Sequence, residues 1–128
     1  MTQPLSDADL LARADAAAVR AYAPYSRFHV GCAILARDGR VIEGVNVENA
    51  SYPLGMCAER TALARAIAEG YRPGDLVAAA ITASPCGGCR QWLHELGLER
   101  VVFRHGDRVV TMTPDELLPK SFDSSSLA

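Results

Sequence analysis

Two short cysteine clusters constrain this chain more than anything else in it: Cys57-Ala58-Glu59 and Pro85-Cys86-Gly87-Gly88-Cys89. Each opens a run of good helix formers, the first closed by Gly70 and the second by Gly97. Cys-x-x-Cys at a helix start places two sulfurs on one side of one turn, close enough to share a tetrahedral metal. Cys57, at the head of the other helix, supplies a third sulfur from across the site. Three protein ligands leave one coordination position for water, the open arrangement of a catalytic zinc rather than a structural one. Glu59 lies two residues beyond Cys57 and need not ligate. From there its carboxylate can reach the open position and move protons.

Three thiolates around a divalent zinc leave a net negative site, which needs an offset. The N-termini of both helices direct partial positive charge toward the sulfurs. Arg60 is adjacent and can donate hydrogen bonds to the thiolates, drawing charge from them. The fourth cysteine, Cys32, opens an alternative in which it completes a closed four-cysteine cage. Its place on the Val30/Ile34 face of a strand instead assigns it to the core as a small hydrophobe, and a closed cage leaves Glu59 without a role.

With 128 residues the chain is expected to form a single domain over 1–128. Its 49% hydrophobic and 22% charged residues are the balance of an ordinary globular protein. The net charge of −2, without a dense Lys/Arg run, removes the footprint of a protein that grips long nucleic acid by its phosphates. A small neutral substrate remains open. No apolar run approaches the ~20 residues of a membrane helix, and the N-terminus lacks the basic-then-apolar layout of a secretory signal. Thiols outside a disulfide framework then point to a cytoplasmic location and to no membrane partner.

Ser6 and Asp9 resemble a cap, and apolar residues at helical spacing predict a first helix over 6–22, stopped by Pro24. Residues 28–35 alternate as a strand, Asp38-Gly39 forms a hairpin turn, and a second strand covers about 40–47. A loop over 48–56 leads to a helix over 57–69. A buried strand at 76–81 and a helix over 86–96 follow. Short strands at 101–103 and 109–112 come next, then a short helix capped by Thr113 with Pro114 and Glu116. The tail at 123–128 reads as frayed. Helices separated by strands, with connections long enough for crossovers, predict an α/β fold with helices on both faces of one sheet.

The order and spacing of Cys57, Glu59, Cys86 and Cys89 match the three-cysteine form of the nucleobase deaminase signature. Beyond those clusters the chain resembles the small homotetrameric zinc-dependent cytidine deaminases over nearly its whole length. The segments that carry the resemblance run from Tyr22-Ala23-Pro24-Tyr25-Ser26-Arg27-Phe28 to Leu117-Leu118-Pro119-Lys120-Ser121-Phe122. Between them stand Asn46-Val47-Glu48-Asn49-Ala50-Ser51-Tyr52, Cys57-Ala58-Glu59-Arg60-Thr61-Ala62 and Ser84-Pro85-Cys86-Gly87-Gly88-Cys89-Arg90-Gln91. The resemblance implies a three-layer α/β/α sandwich with a mixed five-stranded sheet and one zinc per subunit. It also implies hydrolytic deamination of cytidine and deoxycytidine in pyrimidine salvage, with Glu59 as the proton carrier. It places Asn46 and Glu48 on the ribose hydroxyls, Phe28 against the nucleoside, and the backbone around Ala58 and Ser84 on the base edge. Tyr52 and Phe122 are implied to enter the sites of neighbouring subunits in a homotetramer.

This chain departs from the family's pattern in places. The segment before Ser84 and the hairpin from Phe103 to Val109 are shorter, Gly88 and Cys32 stand where alanine is common, and Lys120-Ser121 replaces Gly-Ala. Taken without the resemblance, Asn46 and Glu48 read as turn and surface residues, Phe28 as strand core, and Tyr52 and Phe122 as ordinary aromatics. His29, His94 and His105 are scattered and none is assigned to metal. Competing readings keep the zinc chemistry but change the substrate, to a nucleoside antibiotic such as blasticidin S or to a base in RNA or DNA. A zinc module without turnover is a further alternative, which the open position and Glu59 oppose.

Overall fold

The computed structural model describes residues 5–127. Its elements in chain order are α1 (Asp7–Ala18), β1 (Gly31–Ala36), β2 (Val41–Val45), a 3-10 turn (Tyr52–Leu54) and α2 (Ala58–Ala68). There follow β3 (Leu76–Ile81), α3 (Gly87–Glu95), β4 (Arg100–His105), β5 (Arg108–Met112), α4 (Pro114–Leu117) and a last 3-10 turn (Ser124–Leu127). The five strands form one sheet in the order β2-β1-β3-β4-β5. Only β3 and β4 pair in parallel, and α3 is the crossover that a parallel pair requires. All other neighbours are antiparallel, so the sheet is mixed as expected.

Helices cover both faces. On one side Leu10, Leu11 and Ala14 of α1 pack on Ala33, Leu35, Ala78, Ala80 and Val102. On the other, Ala62, Leu63 and Ala66 of α2 and Leu93 of α3 pack on Cys32, Ile34, Ala79, Ile81, Val101 and Phe103. Every residue of β1 is therefore buried, the mark of a strand covered on both faces. Cys32 lies within the second cluster, the core position that its strand face assigns to it.

Several expected elements end or begin elsewhere: β2 closes at Val45 rather than 47, and β4 runs over Arg100–His105 rather than 101–103. The first helix is capped by Ser6, whose Oγ accepts from Asp9 N at 3.1 Å, but it stops at Ala18 rather than 22. Tyr22 has been drawn into a bridge with Val47, its N–H donating to Asn46 O at 3.0 Å and its carbonyl accepting from Glu48 N at 2.9 Å. Tertiary pairing thus overrides the local helical pattern. β1 begins at Gly31 rather than Phe28. The expected frayed tail instead forms the 3-10 turn, tied by Asp123, whose Oδ1 accepts from Ser125 N at 2.9 Å; Ala128 lies outside the described residues. At α4 the capping box is complete, with Glu116 N donating to Thr113 Oγ1 and Thr113 N to Glu116 Oε1.

Two close approaches fix the helices to the sheet. A Cβ on Gly31 would stand 2.0 Å from Ala14 O, and one on Gly44 would stand 2.4 Å from Ala62 N and 2.6 Å from Ala58 O. These neighbours are helix backbone and cannot yield as a flexible side chain would. α2 therefore rests directly on β2, and the seat of its first turn is set by the absence of a side chain at Gly44. Gly44→Ala is expected to destabilise the fold by about 3 kcal/mol or more, at or above the upper end of ordinary overpacking. Urea unfolding measures this, with Gly88→Ala, which meets nothing within 4 Å, as the tolerated control.

Candidate metal centre and cleft

The topology gathers five chain segments at one end of the sheet. β1 runs antiparallel to both its neighbours, with Gly31 opposite Val45 and Cys32 opposite Ile81. The approach to β1 thus lies beside the exits of β2 and β3. The starts of α2 and α3 arrive at the same place. Cys57 and Cys86 are the N-cap residues of these helices, both in extended backbone, and neither uses its side chain as a cap. Their thiols are free to face each other, and Cys89 adds a third from the first turn of α3.

The ligand atoms of Cys57, Cys86 and Cys89 all lie within 4.8 Å of one another. The Cys57 and Cys86 sulfurs are 3.8 Å apart, the separation expected across a tetrahedral site with metal–sulfur bonds of ~2.3 Å. Their chemistry also fits a cation. Burial pushes the Cys57 thiol up, and burial followed by the charge of Glu59 pushes Cys89 far up. Cys86 feels burial too, yet the backbone N–H and thiol of Cys89 and the thiol of Cys57 hold it below its usual value. Two of the three thiols are thus pushed toward the protonated form, and three thiolates together call for a positive ion at their centre. Among the described residues Cys32 does not join the group, so the four-cysteine cage is set aside. Burial, then the charge of Glu59, drives the Cys32 thiol well upward, which makes it an inert core residue.

Glu59 is the buried charged residue among the described ones, 3% exposed. Burial raises its carboxyl, while its own backbone N–H and the Cys89 thiol pull the other way. Arg60 turns its Nη2 to Met56 Sδ at 3.8 Å rather than to a thiolate, and its buried Nε has no partner among the described residues.

A cleft of about 330 Å³ opens onto this centre, within the size range of small-molecule sites. Phe28, Asn46, Glu48, Tyr52, Ala58 and Ser84 line it together with Cys57, Cys86 and Glu59. The sequence-selected residues thus converge, with three exceptions outside the lining: Phe122 on the C-terminal segment, the buried Cys89, and Arg60. Val30, Val47, Gly55, Met56 and Ala83 also line the cleft. Nothing in their residue types marks them out, since apolar wall positions look like core.

Asn46 and Glu48 shape the lip of the cleft. Asn46 Oδ1 accepts from Val30 N and its Nδ2 donates to Phe28 O, both at 2.8 Å. Val30 O still accepts from the Asn46 backbone N–H at 3.2 Å, but at Val30 N and Phe28 O the side chain takes the hydrogen bonds that a strand backbone would otherwise supply, and regular pairing ends there. Glu48 Oε1 accepts from Tyr25 N and Ser26 N at 3.0 and 3.1 Å, and Oε2 from Ser26 Oγ. Those bonds, the Ser26 hydroxyl foremost, hold the Glu48 carboxyl below its usual range. They also brace a turn in which Arg27 adopts φ 59°, an uncommon conformation for a side-chain-bearing residue. The turn leaves Phe28 62% exposed at the lip. Ser84 is held from the far side, its Oγ 2.9 Å from His105 Nδ1.

Comparison with known proteins places this arrangement. Residues 5–105 match the family model described as the cytidine and deoxycytidylate deaminase zinc-binding region. A cytidine deaminase of Halalkalibacterium halodurans is 48% identical over 117 residues, covering 84% of this chain and 86% of that protein. A cytidine deaminase of Mycobacterium tuberculosis is 41% identical over 124 residues, covering 92% and 90%. The crystal structure of cytidine deaminase from Burkholderia pseudomallei superposes with a TM-score of 0.85 at 46% identity, over 92% of this chain and all of that one.

Elemental analysis of purified protein should find Cys32→Ala retaining zinc at the wild-type ratio and Cys89→Ala losing most of it. Zinc loss from Cys32→Ala alone would restore the closed-cage reading.

Proposed function

The chain belongs to the cytidine and deoxycytidylate deaminase family, and on that premise we propose that it hydrolyses cytidine and deoxycytidine to uridine and deoxyuridine with release of ammonia. The observation that carries this reading is Glu59, a buried carboxyl beside three clustered thiols at the wall of a nucleoside-sized cleft. Zinc, held by Cys57, Cys86 and Cys89, supplies the activation of water that such chemistry needs. Water adds at C4 of the base; Glu59 takes a proton from it and delivers that proton to N3. Glu59 then moves the remaining hydroxyl proton to the amino nitrogen, the C4–N bond breaks, and ammonia leaves behind a C4 carbonyl.

The rest of the cleft is assigned by the same reading. Asn46 and Glu48 take the ribose hydroxyls with the hydrogen-bonding capacity left over from bracing the lip, Phe28 packs on the nucleoside, and the backbone at Ala58 and Ser84 holds the base edge. Support comes from the shared lining of one cleft by these residues. Arg60 offsets the charge of the thiolates; its unpartnered Nε and its place in the first turn of α2 support that role. Tyr52 and Phe122 serve neighbouring subunits of a homotetramer. Their exposures of 74% and 61% in the single chain leave apolar rings for a second copy to cover. We treat residues 1–128 as one catalytic domain. A reducing, cytoplasmic setting suits three thiols that must stay free to bind metal; among the described residues no helix is long and apolar enough to cross a membrane.

Ammonia release from cytidine and deoxycytidine is the direct test, with blasticidin S offered in parallel. Glu59→Gln is expected to keep its zinc and lose about 10²–10⁴-fold in kcat. Unimpaired turnover by that variant would refute the proton-carrier role, and turnover of blasticidin S alone would move the substrate to the antibiotic class. Arg60→Ala should surrender zinc to a chelator at roughly 10-fold lower concentration than wild type. Unchanged zinc retention and unchanged turnover together would remove Arg60 from the site.

A further inference from the structure

Helix α3 carries two of the three thiols on its first turn, and its later turns grip the C-terminal segment. Gln91 Nε2 donates to Phe122 O at 2.7 Å. One turn on, His94 is inserted between α4 and that segment with only 17% of its side chain exposed. Its Nδ1 lies 3.1 Å from Asp115 Oδ1, and its Nε2 lies 2.8 Å from Ser121 Oγ and 3.4 Å from Asp123 Oδ2. The contacts at residues 121 and 123 bracket Phe122, whose ring is exposed. Lys120, just before them, has φ 53°, so the chain turns abruptly there and needs an external hold to fix its direction afterwards.

We propose that His94 is a positioning residue for Phe122: it pins residues 121–123 to the metal-bearing helix and so sets where the Phe122 ring is presented to a neighbouring copy's substrate. This rests on the reading of Phe122 given above. Gln91 fixes a single backbone oxygen and leaves the side chains at 121 and 123 unheld. His94 holds both, and it also separates the carboxylates of Asp115 and Asp123, so that removing the imidazole leaves two like charges facing a gap. The segment is then attached at one point instead of three. The effect belongs to substrate binding, because neither the thiols nor Glu59 touches this clamp.

The test is a double-mutant cycle on the intact, zinc-loaded enzyme, reading kcat, KM for cytidine, oligomeric mass and Tm. Phe122→Ala is expected to raise KM by about 10-fold. His94→Ala should raise KM by roughly 3- to 10-fold with kcat within about twofold and the wild-type oligomeric mass retained. The double variant should be no worse than Phe122→Ala alone, because both changes remove one presented ring. His94→Gln, which retains a donor and an acceptor, should recover most of the lost affinity. Should His94→Ala fail to fold, Ser121→Ala combined with Asp123→Ala loosens the same clamp from the tail side and must raise KM similarly. A raised KM in Phe122→Ala with an unchanged KM in His94→Ala, or with effects that multiply in the double variant, overturns the proposal. An unchanged KM in Phe122→Ala overturns the reading of Phe122 itself, and the proposal with it.

Discussion

The sulfurs of Cys57, Cys86 and Cys89 come from segments separated in sequence by a helix and a strand, and they must nonetheless meet within the span of one metal ion. Two helix starts can do so only if each helix is seated on the sheet to within fractions of an ångström. For α3 the seating follows from the parallel β3–β4 pair, which obliges the chain to cross over a face of the sheet immediately after the site. For α2 it follows from direct backbone contact with Gly44. The remaining features of the end of the sheet, including the buried Glu59 and the unused N-caps, depend on this convergence.

Burial gives the centre its chemical character. A lone carboxyl at 3% exposure would be expensive to ionise, and uncompensated thiolates beside it more so. Each of the pKa displacements at Cys57, Cys89 and Glu59 is upward with desolvation as its first cause. A divalent ion reverses that balance by adding opposite charge where the protein has collected acidic groups. A metal held by these three thiols would also tie α2 to α3, turning coordination energy into folding energy.

The metal centre was legible in the sequence because metal ligation demands particular side chains at particular spacings, which Cys57, Cys86 and Cys89 satisfy, while Cys32 stands on a strand face that belongs to the core. The layering of the sheet was legible in the alternation of helices and strands joined by crossover-length connections, and β3 read as a buried strand because its sequence is an apolar run. The cleft lip was not. Its shape depends on Asn46 reaching across to Phe28 and Val30, and on Glu48 closing the turn at Tyr25 and Ser26. A polar side chain standing in for a missing strand leaves no periodic signal, so residues 28–30 read as ladder. Tyr22 misled in the same way, since its pairing with Val47 is set by tertiary structure rather than by the helical run before it. His94 and His105 looked incidental for want of any partner nearby in sequence; their contacts lie 27 or 29 residues away at Ser121 and Asp123, and 21 away at Ser84.

Asn46 has a consequence for how such a protein can be remodelled. Its amide is a truss for the lip before it is a reader of any sugar, since both of its polar atoms are already engaged with backbone. A laboratory selection for altered sugar preference that randomises position 46 will discard most of its library as misfolded before preference is ever sampled. Diversity spent on Tyr25, Asn49 and Tyr52, which wall the adjoining hollow without stitching strands together, explores new shapes while the truss stays in place.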